Sequence, residues 1–85
     1  MNQEKYILFL RETNHTEKSI KSRVARLKKV ENVFQIDVDC IINDKNKVHE
    51  ILDKLKIQNL DSSNQNLANA LSMYYTCITG KNLYE

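Results

Sequence analysis

The near absence of turn-forming residues constrains the fold of this 85-residue chain more than any other feature. It has no proline and a single glycine, Gly80, so it offers little for the tight turns that join β-strands. With 41% apolar and 28% charged residues, its composition is that of an ordinary globular domain. We therefore expect an all-α fold, a small helix bundle that residues 1–85 form as one domain.

Residues 16–30 predict one helix with an apolar face and a basic face. At about 100° per residue, an apolar stripe is formed by Ile20, Val24, Leu27 and Val30, and Phe34 continues it. The other side carries Lys18, Lys21, Lys28 and Lys29, with Ser22 and Ala25 between them and Arg26 at the border. Residues 17–31 contain six Lys or Arg and two Glu, a net charge of +4, whereas the whole chain carries +2. Such a helix favours a polyanionic partner, most commonly nucleic acid, although a simply solvated face fits the charge equally well.

The segments on either side of the basic helix also show helical signals. Residues 1–12 contain the apolar residues Tyr6, Ile7, Leu8, Phe9 and Leu10; periodicity alone allows a strand there, but the lack of turn residues favours a helix. We expect Thr16 to cap the basic helix and Asp44 to cap a helix with Val48, Ile51, Leu52 and Leu55 on one face. Residues 36–42 alternate apolar and acidic residues as a strand would, yet without a partner strand we expect a short helical turn. Residues 37–53 carry five Asp or Glu and two Lys, a net charge of −3, so the chain has a basic and an acidic region.

The strongest helical pattern lies in the last third of the chain, after a cap expected at residues 61–63. Its apolar stripe consists of Leu67, Ala70, Leu71, Tyr74, Cys77 and Ile78. We expect Gly80 to end this helix in the left-handed conformation. The opposite face is polar and uncharged, with Gln65, Asn69, Ser72 and Thr76. Such side chains can approach base edges, although an ordinary exposed face is the commoner explanation.

The groups required for a catalytic or metal site do not occur in a recognisable pattern. Cys40 and Cys77 lie outside any CxxC spacing, and we expect both to be small buried groups in a reducing cytosol. His15 and His49 belong to no known motif, and one glycine cannot form a phosphate-binding loop. We therefore expect no enzymatic activity, no cofactor, no metal and no small-molecule substrate. The first residues lack a basic n-region and the apolar run is short, which predicts a cytoplasmic protein without membrane contact.

Two segments of the chain resemble one family. The segment HTEKSIKSRVARLKKVENVF resembles the second helix of the SAM-like N-terminal, core-binding domain of phage integrases and other tyrosine recombinases, with matching positions at Thr16, Ser19, Ile20, Leu27 and Phe34. The segment SSNQNLANALSMYYTCITGK is similar to the last helix of that domain, with matching positions at Ala70, Leu71, Tyr74, Tyr75 and Gly80. The order of the elements agrees over nearly the whole chain. Two features depart from the family: Arg23 stands where an aromatic residue is usual, and residues 1–85 do not include the recombinase catalytic domain, so we expect either an excised domain or a fold that works alone in another role.

The resemblance implies an orthogonal bundle of four or five helices that clamps one side of a DNA duplex with its second and last helices. It therefore suggests a DNA-binding module of a phage or mobile element, linked to DNA integration and recombination but without strand cleavage. The abundance of Lys, Asn and Ile is consistent with an AT-rich bacterial or phage genome.

Three functions follow from these expectations. In the first, Lys18, Lys21, Arg26, Lys28 and Lys29 contact the phosphates of double-stranded DNA, Ser22 and Ala25 allow close approach, and Arg23, Gln65 or Asn69 contact bases. In the second, the basic face binds an acidic protein partner, such as a host nuclease or another nucleic-acid complex, and modulates it. The third is a helical dimerisation unit that uses the stripe from Leu67 to Ile78.

Overall fold

The computed structural model of this protein describes residues 1–13, 15–57 and 66–83. These residues form five helices and contain no strand. The helices are α1 (Gln3–Glu12), α2 (Glu17–Phe34), α3 (Val38–Ile41), α4 (Lys45–Ile57) and α5 (Asn66–Thr79). The expectation of an all-α fold is thus confirmed for this part of the chain, and residues 36–42 contain a short helix.

The basic helix α2 lies at the centre of the packing. It makes its most extensive contacts with α5 and also packs against α1, while α4 packs against α5 and α3. Its buried residues are those of the predicted stripe, Ile20, Val24, Leu27 and Val30. Because this stripe fixes the rotation of α2 about its axis, the opposite side of the helix must face solvent.

The second large contribution to the core comes from α5. Its buried residues are Leu67, Ala70, Leu71, Tyr74 and Tyr75, while Cys77 and Ile78 are half-buried. Tyr75 is not part of the predicted stripe but lies inside the core, because α5 packs against α1, α2 and α4 and so buries a wider arc than one partner would.

Local hydrogen bonds define several helix ends as expected. The Thr16 hydroxyl accepts a hydrogen bond from the Ser19 N–H at 3.1 Å, and the Asp44 carboxylate accepts one from the Asn46 N–H at 3.1 Å. Gly80 follows α5 with a φ of 72°, the left-handed conformation that favours glycine. The cap expected at residues 61–63 lies outside the described residues.

The expectation that both cysteines are buried is wrong for Cys40. Val38 and Ile42 lie four residues apart and both enter the core, so Cys40, midway between them on this short helix, is exposed on the other side. Cys77 is half-buried, and burial raises the pKa of its thiol. Both cysteines are free thiols.

Candidate nucleic-acid interface

The exposed side of α2 carries the predicted lysines. The side chains of Lys18, Lys21, Lys28 and Lys29 are exposed, and Ala25 between them is exposed as well. Ser22 and Arg26 are half-buried at the margin of this surface. From Lys18 to Lys29 the helix rises by about 16 Å, so the four ammonium groups are spread along three turns of one rigid element.

Both carboxylates of α2 are paired with cations that come from outside this helix. The carboxylate of Glu17 lies 3.1 Å from Nε of Arg11 on α1, and that of Glu31 lies 3.5 Å from the amino group of Met1. Within residues 1–13, 15–57 and 66–83, no carboxylate forms an ion pair with the four exposed lysines or with Arg26. The positive charge of the exposed side is therefore not neutralised by its own helix.

A cluster of carboxylates lies around the amino group of Met1. This group is 3.4 Å from Asp37 and 3.2 Å from Asp39, in addition to its contact with Glu31. Burial lowers the pKa of the amino group, but the hydrogen bond to Asp39 and the attraction of the three carboxylates outweigh burial and raise it. The carboxylates at the start of the acidic region 37–53 therefore pair with the Met1 amino group and not with the lysines of α2.

Arg23 lies apart from the lysines. It follows Ile20 by three residues and precedes Leu27 by four, so it lies on the side of α2 that faces the core. The side chain is half-buried, and its Nε is enclosed without a hydrogen-bond partner among the described residues. Its charge acts on the hydroxyl of Tyr6, whose pKa is raised by burial and partly lowered again by Arg23. Where the family pattern has an aromatic residue, this chain has a cation at the edge of the core.

The remaining predicted contacts come from α5. Asn69 is exposed, so its amide is accessible to a ligand, whereas Ser72 is half-buried. Thr76 donates a hydrogen bond from its hydroxyl to the Ser72 carbonyl at 3.3 Å and is half-buried too. Gln65, the other predicted base contact, lies outside the described residues.

The two histidines make structural contacts. Nδ1 of His15 lies 3.2 Å from the carbonyl oxygen of Leu10 near the end of α1, and Nε2 of His49 lies 3.2 Å from the carbonyl oxygen of Leu83. In the part of the chain that the structure describes, no group of three or more His, Cys, Asp or Glu side chains could hold a metal ion. In the same part, no helix combines the length and apolar character needed to cross a membrane.

One feature of this surface, a groove between α1 and α2, is not predicted by the sequence. It is lined by Gln3, Ile7, Arg11, Glu17, Ile20, Lys21, Val24, Ala25 and Lys28. The sequence feature that could have indicated the groove lies in α1, whose apolar run from Tyr6 to Leu10 is wider than one buried face requires.

Comparison of the chain with protein-family models, with curated proteins and with solved structures gave no match. Function is therefore inferred from the residues and their arrangement.

Proposed function

We propose that this protein is a DNA-binding module that contacts duplex phosphates through the exposed side of α2 and has no catalytic activity of its own. The observation that carries this proposal is the set of exposed lysines on α2 that no carboxylate of the described residues neutralises. The resemblance of the two helical segments to the core-binding domain of tyrosine recombinases supports the same function. It also suggests that the bundle is of the SAM-like integrase type and acts in DNA integration or recombination, and the character of the first residues favours the cytoplasm.

The proposed contact divides the roles between phosphate and base. Phosphates are bound by Lys18, Lys21, Arg26, Lys28 and Lys29, and the small side chains of Ser22 and Ala25 let the helix backbone approach the duplex. Asn69 on α5 and Arg23 at the α2 core edge are the described candidates for base contacts, and Gln65 is the third. Since Nε of Arg23 is enclosed, the terminal nitrogens of its guanidinium would make such a contact.

Salt dependence tests the phosphate contacts. If about five phosphates are neutralised, the logarithm of the association constant should fall with the logarithm of salt concentration with a slope of about −4 to −5. The measurement is a fluorescence-anisotropy titration with a labelled random-sequence duplex at four or more salt concentrations. An affinity that stays constant from low to high salt would contradict the proposal and favour the protein-binding alternative.

Charge reversal locates the interface on the molecule. We expect that Lys18→Glu with Lys29→Glu, and separately Lys21→Glu with Lys28→Glu, each weaken duplex binding by about tenfold or more at low salt. The matched control is Lys47→Glu with Lys56→Glu, which changes the net charge equally on α4, where both lysines are exposed. Equal losses in all three double variants would show that only net charge matters and would contradict a specific role of α2.

A further inference from the structure

The groove between α1 and α2 has an apolar floor. Its volume is about 370 Å³, and its apolar lining comes from Ile7 of α1 and from Ile20 and Val24 of α2. Ile20 and Val24 are buried in the core below, while Ile7 is half-buried. The apolar surface continues over the outer side of α1, where Leu8 is 53% exposed and lines a second hollow together with Ile7.

The edges of the groove are positively charged. Three cations line it, Arg11, Lys21 and Lys28, against one carboxylate, Glu17. Because Glu17 pairs with Arg11, the net charge that remains comes from Lys21 and Lys28. These two lysines are seven residues apart, which places them about 10 Å from each other on the same edge.

This combination of surfaces suits a protein helix better than a nucleic acid. Phosphates and base edges gain nothing from the apolar floor, whereas apolar side chains do. A groove between two packed helices has the shape that accepts the side-chain ridge of a third helix. Carboxylates two turns apart on such a helix have the spacing of Lys21 and Lys28.

We propose that this groove binds an amphipathic helix of a partner protein, with apolar side chains on the floor and carboxylates facing Lys21 and Lys28. The inference is independent of the DNA-binding function, because the floor residues Ile7, Ile20 and Val24 take no part in phosphate contacts. Lys21 and Lys28 belong to both surfaces, so the partner helix and a duplex would exclude each other. This last consequence, unlike the helix binding itself, rests on the proposed DNA-binding function: the partner would control whether the module is free to bind DNA.

The test uses a labelled synthetic helix as the probe. The peptide has about 16 residues, roughly 24 Å as a helix, with Leu at positions i, i+3, i+4 and i+7 and Glu on both flanks of that stripe. Its control is a permuted peptide of the same composition without the stripe. We expect saturable binding of the first peptide and at least tenfold weaker binding of the second. Equal binding of both peptides would overturn the proposal, since only charge would then be recognised.

Three variants assign the binding to the groove. We expect Lys21→Glu with Lys28→Glu to weaken peptide binding at least tenfold, while Lys18→Glu with Lys29→Glu leaves it within twofold. Ala25→Phe should also weaken it, because Ala25 is exposed at the groove and a phenyl ring there would fill the space; circular dichroism verifies that this variant folds. Equal losses of peptide affinity in the two double lysine variants would overturn the proposal. Duplex binding should weaken in both pairs of lysine variants. The peptide-binding proposal and the DNA-binding proposal can therefore be contradicted independently of each other.

Discussion

The ring of Tyr6 on α1 meets the ring of Tyr74 on α5 edge to face, with centroids 5.2 Å apart and planes at 81°. Both side chains are fully buried, and both hydroxyls are hydrogen-bonded. Tyr6 donates to the Ala70 carbonyl at 2.9 Å, while Tyr74 donates to the Asp39 carboxylate and accepts from the Asn2 N–H at 2.7 Å. The pair therefore ties α1 to α5 and to α3, and since α2 packs against both α1 and α5, it helps to hold the basic helix in place.

Removal of the Tyr6 hydroxyl should destabilise the fold while leaving the ring contact intact. We expect Tyr6→Phe to lower the free energy of unfolding by about 1 kcal/mol, the usual net value of one buried hydrogen bond. Urea denaturation followed by circular dichroism measures the change. The control is Tyr75→Phe, since Tyr75 is also buried but its hydroxyl has no hydrogen-bond partner among the described residues. Equal losses in both variants would mean that the bond to Ala70 contributes nothing specific.

The N-cap of α2 should be a second local source of stability. Thr16→Ala removes the hydroxyl that accepts the Ser19 N–H, and we expect a loss of about 1 kcal/mol in the free energy of unfolding. Thr16→Ser is the matched control, because serine keeps the hydroxyl, and it should be within a few tenths of a kcal/mol of the natural protein. A destabilised Ser variant would indicate that the methyl group of Thr16, and not its hydrogen bond, matters.

Features that depend on neighbours in the sequence could be predicted. The periodicity of Ile20, Val24 and Leu27 identified the buried side of α2, and by exclusion the exposed lysines. Thr16 and Gly80 marked helix ends because capping and the left-handed conformation are local preferences. These signals were sufficient for the all-α class and for the orientation of the basic face.

Features that depend on how helices meet could not be predicted. Two ion pairs, Arg11 with Glu17 and Met1 with Glu31, join residues on different segments. No periodicity in the sequence indicates them. The groove floor needs Ile7 and Val24 to line the same hollow, which only the packing of α1 on α2 determines. The exposure of Cys40 followed from the rotation of a four-residue helix, too short for its own pattern to indicate.

Asp37 should make the stability depend on pH in the acid range. The pKa of its carboxyl is lowered, mainly because it accepts the Asp39 N–H at the start of α3, and also because the Met1 amino group lies near. A pKa lower in the folded state than in the unfolded chain means that folding favours the charged carboxylate. This contribution is complete above the ordinary value of 3.8 and is lost as the pH falls through the lower folded value.

We therefore expect the urea midpoint of the natural protein to fall more steeply between about pH 4 and pH 2 than that of Asp37→Asn. Asp53→Asn is the control, since Asp53 is exposed on α4 and forms no ion pair with the described residues. It removes the same charge without touching the start of α3. Identical pH profiles for the natural protein and Asp37→Asn would exclude this role of Asp37.

The enclosed Nε donor of Arg23 lowers the stability of the fold, and a ligand contact would explain why this residue is present. Its Nε donor is enclosed without a partner in the described part of the chain, and a buried unpaired donor destabilises a fold. Methionine keeps most of the apolar stem of the side chain without the donor. We therefore expect Arg23→Met to leave the free energy of unfolding unchanged or to raise it by up to about 1 kcal/mol. The matched variant Arg26→Met, also half-buried, should change stability by less than about 0.5 kcal/mol.

The same two variants distinguish an effect of Arg23 on folding stability from an effect on duplex binding. If the terminal nitrogens of Arg23 contact bases, Arg23→Met should weaken binding to a preferred duplex more than to a random duplex, while Arg26→Met weakens both alike. Affinity is measured by anisotropy at one fixed salt concentration for both duplexes. The opposite result would be a drop of more than about 1 kcal/mol in the free energy of unfolding of Arg23→Met, together with an equal change in affinity for the two duplexes. Arg23 would then be a core residue that stabilises α2 near Tyr6.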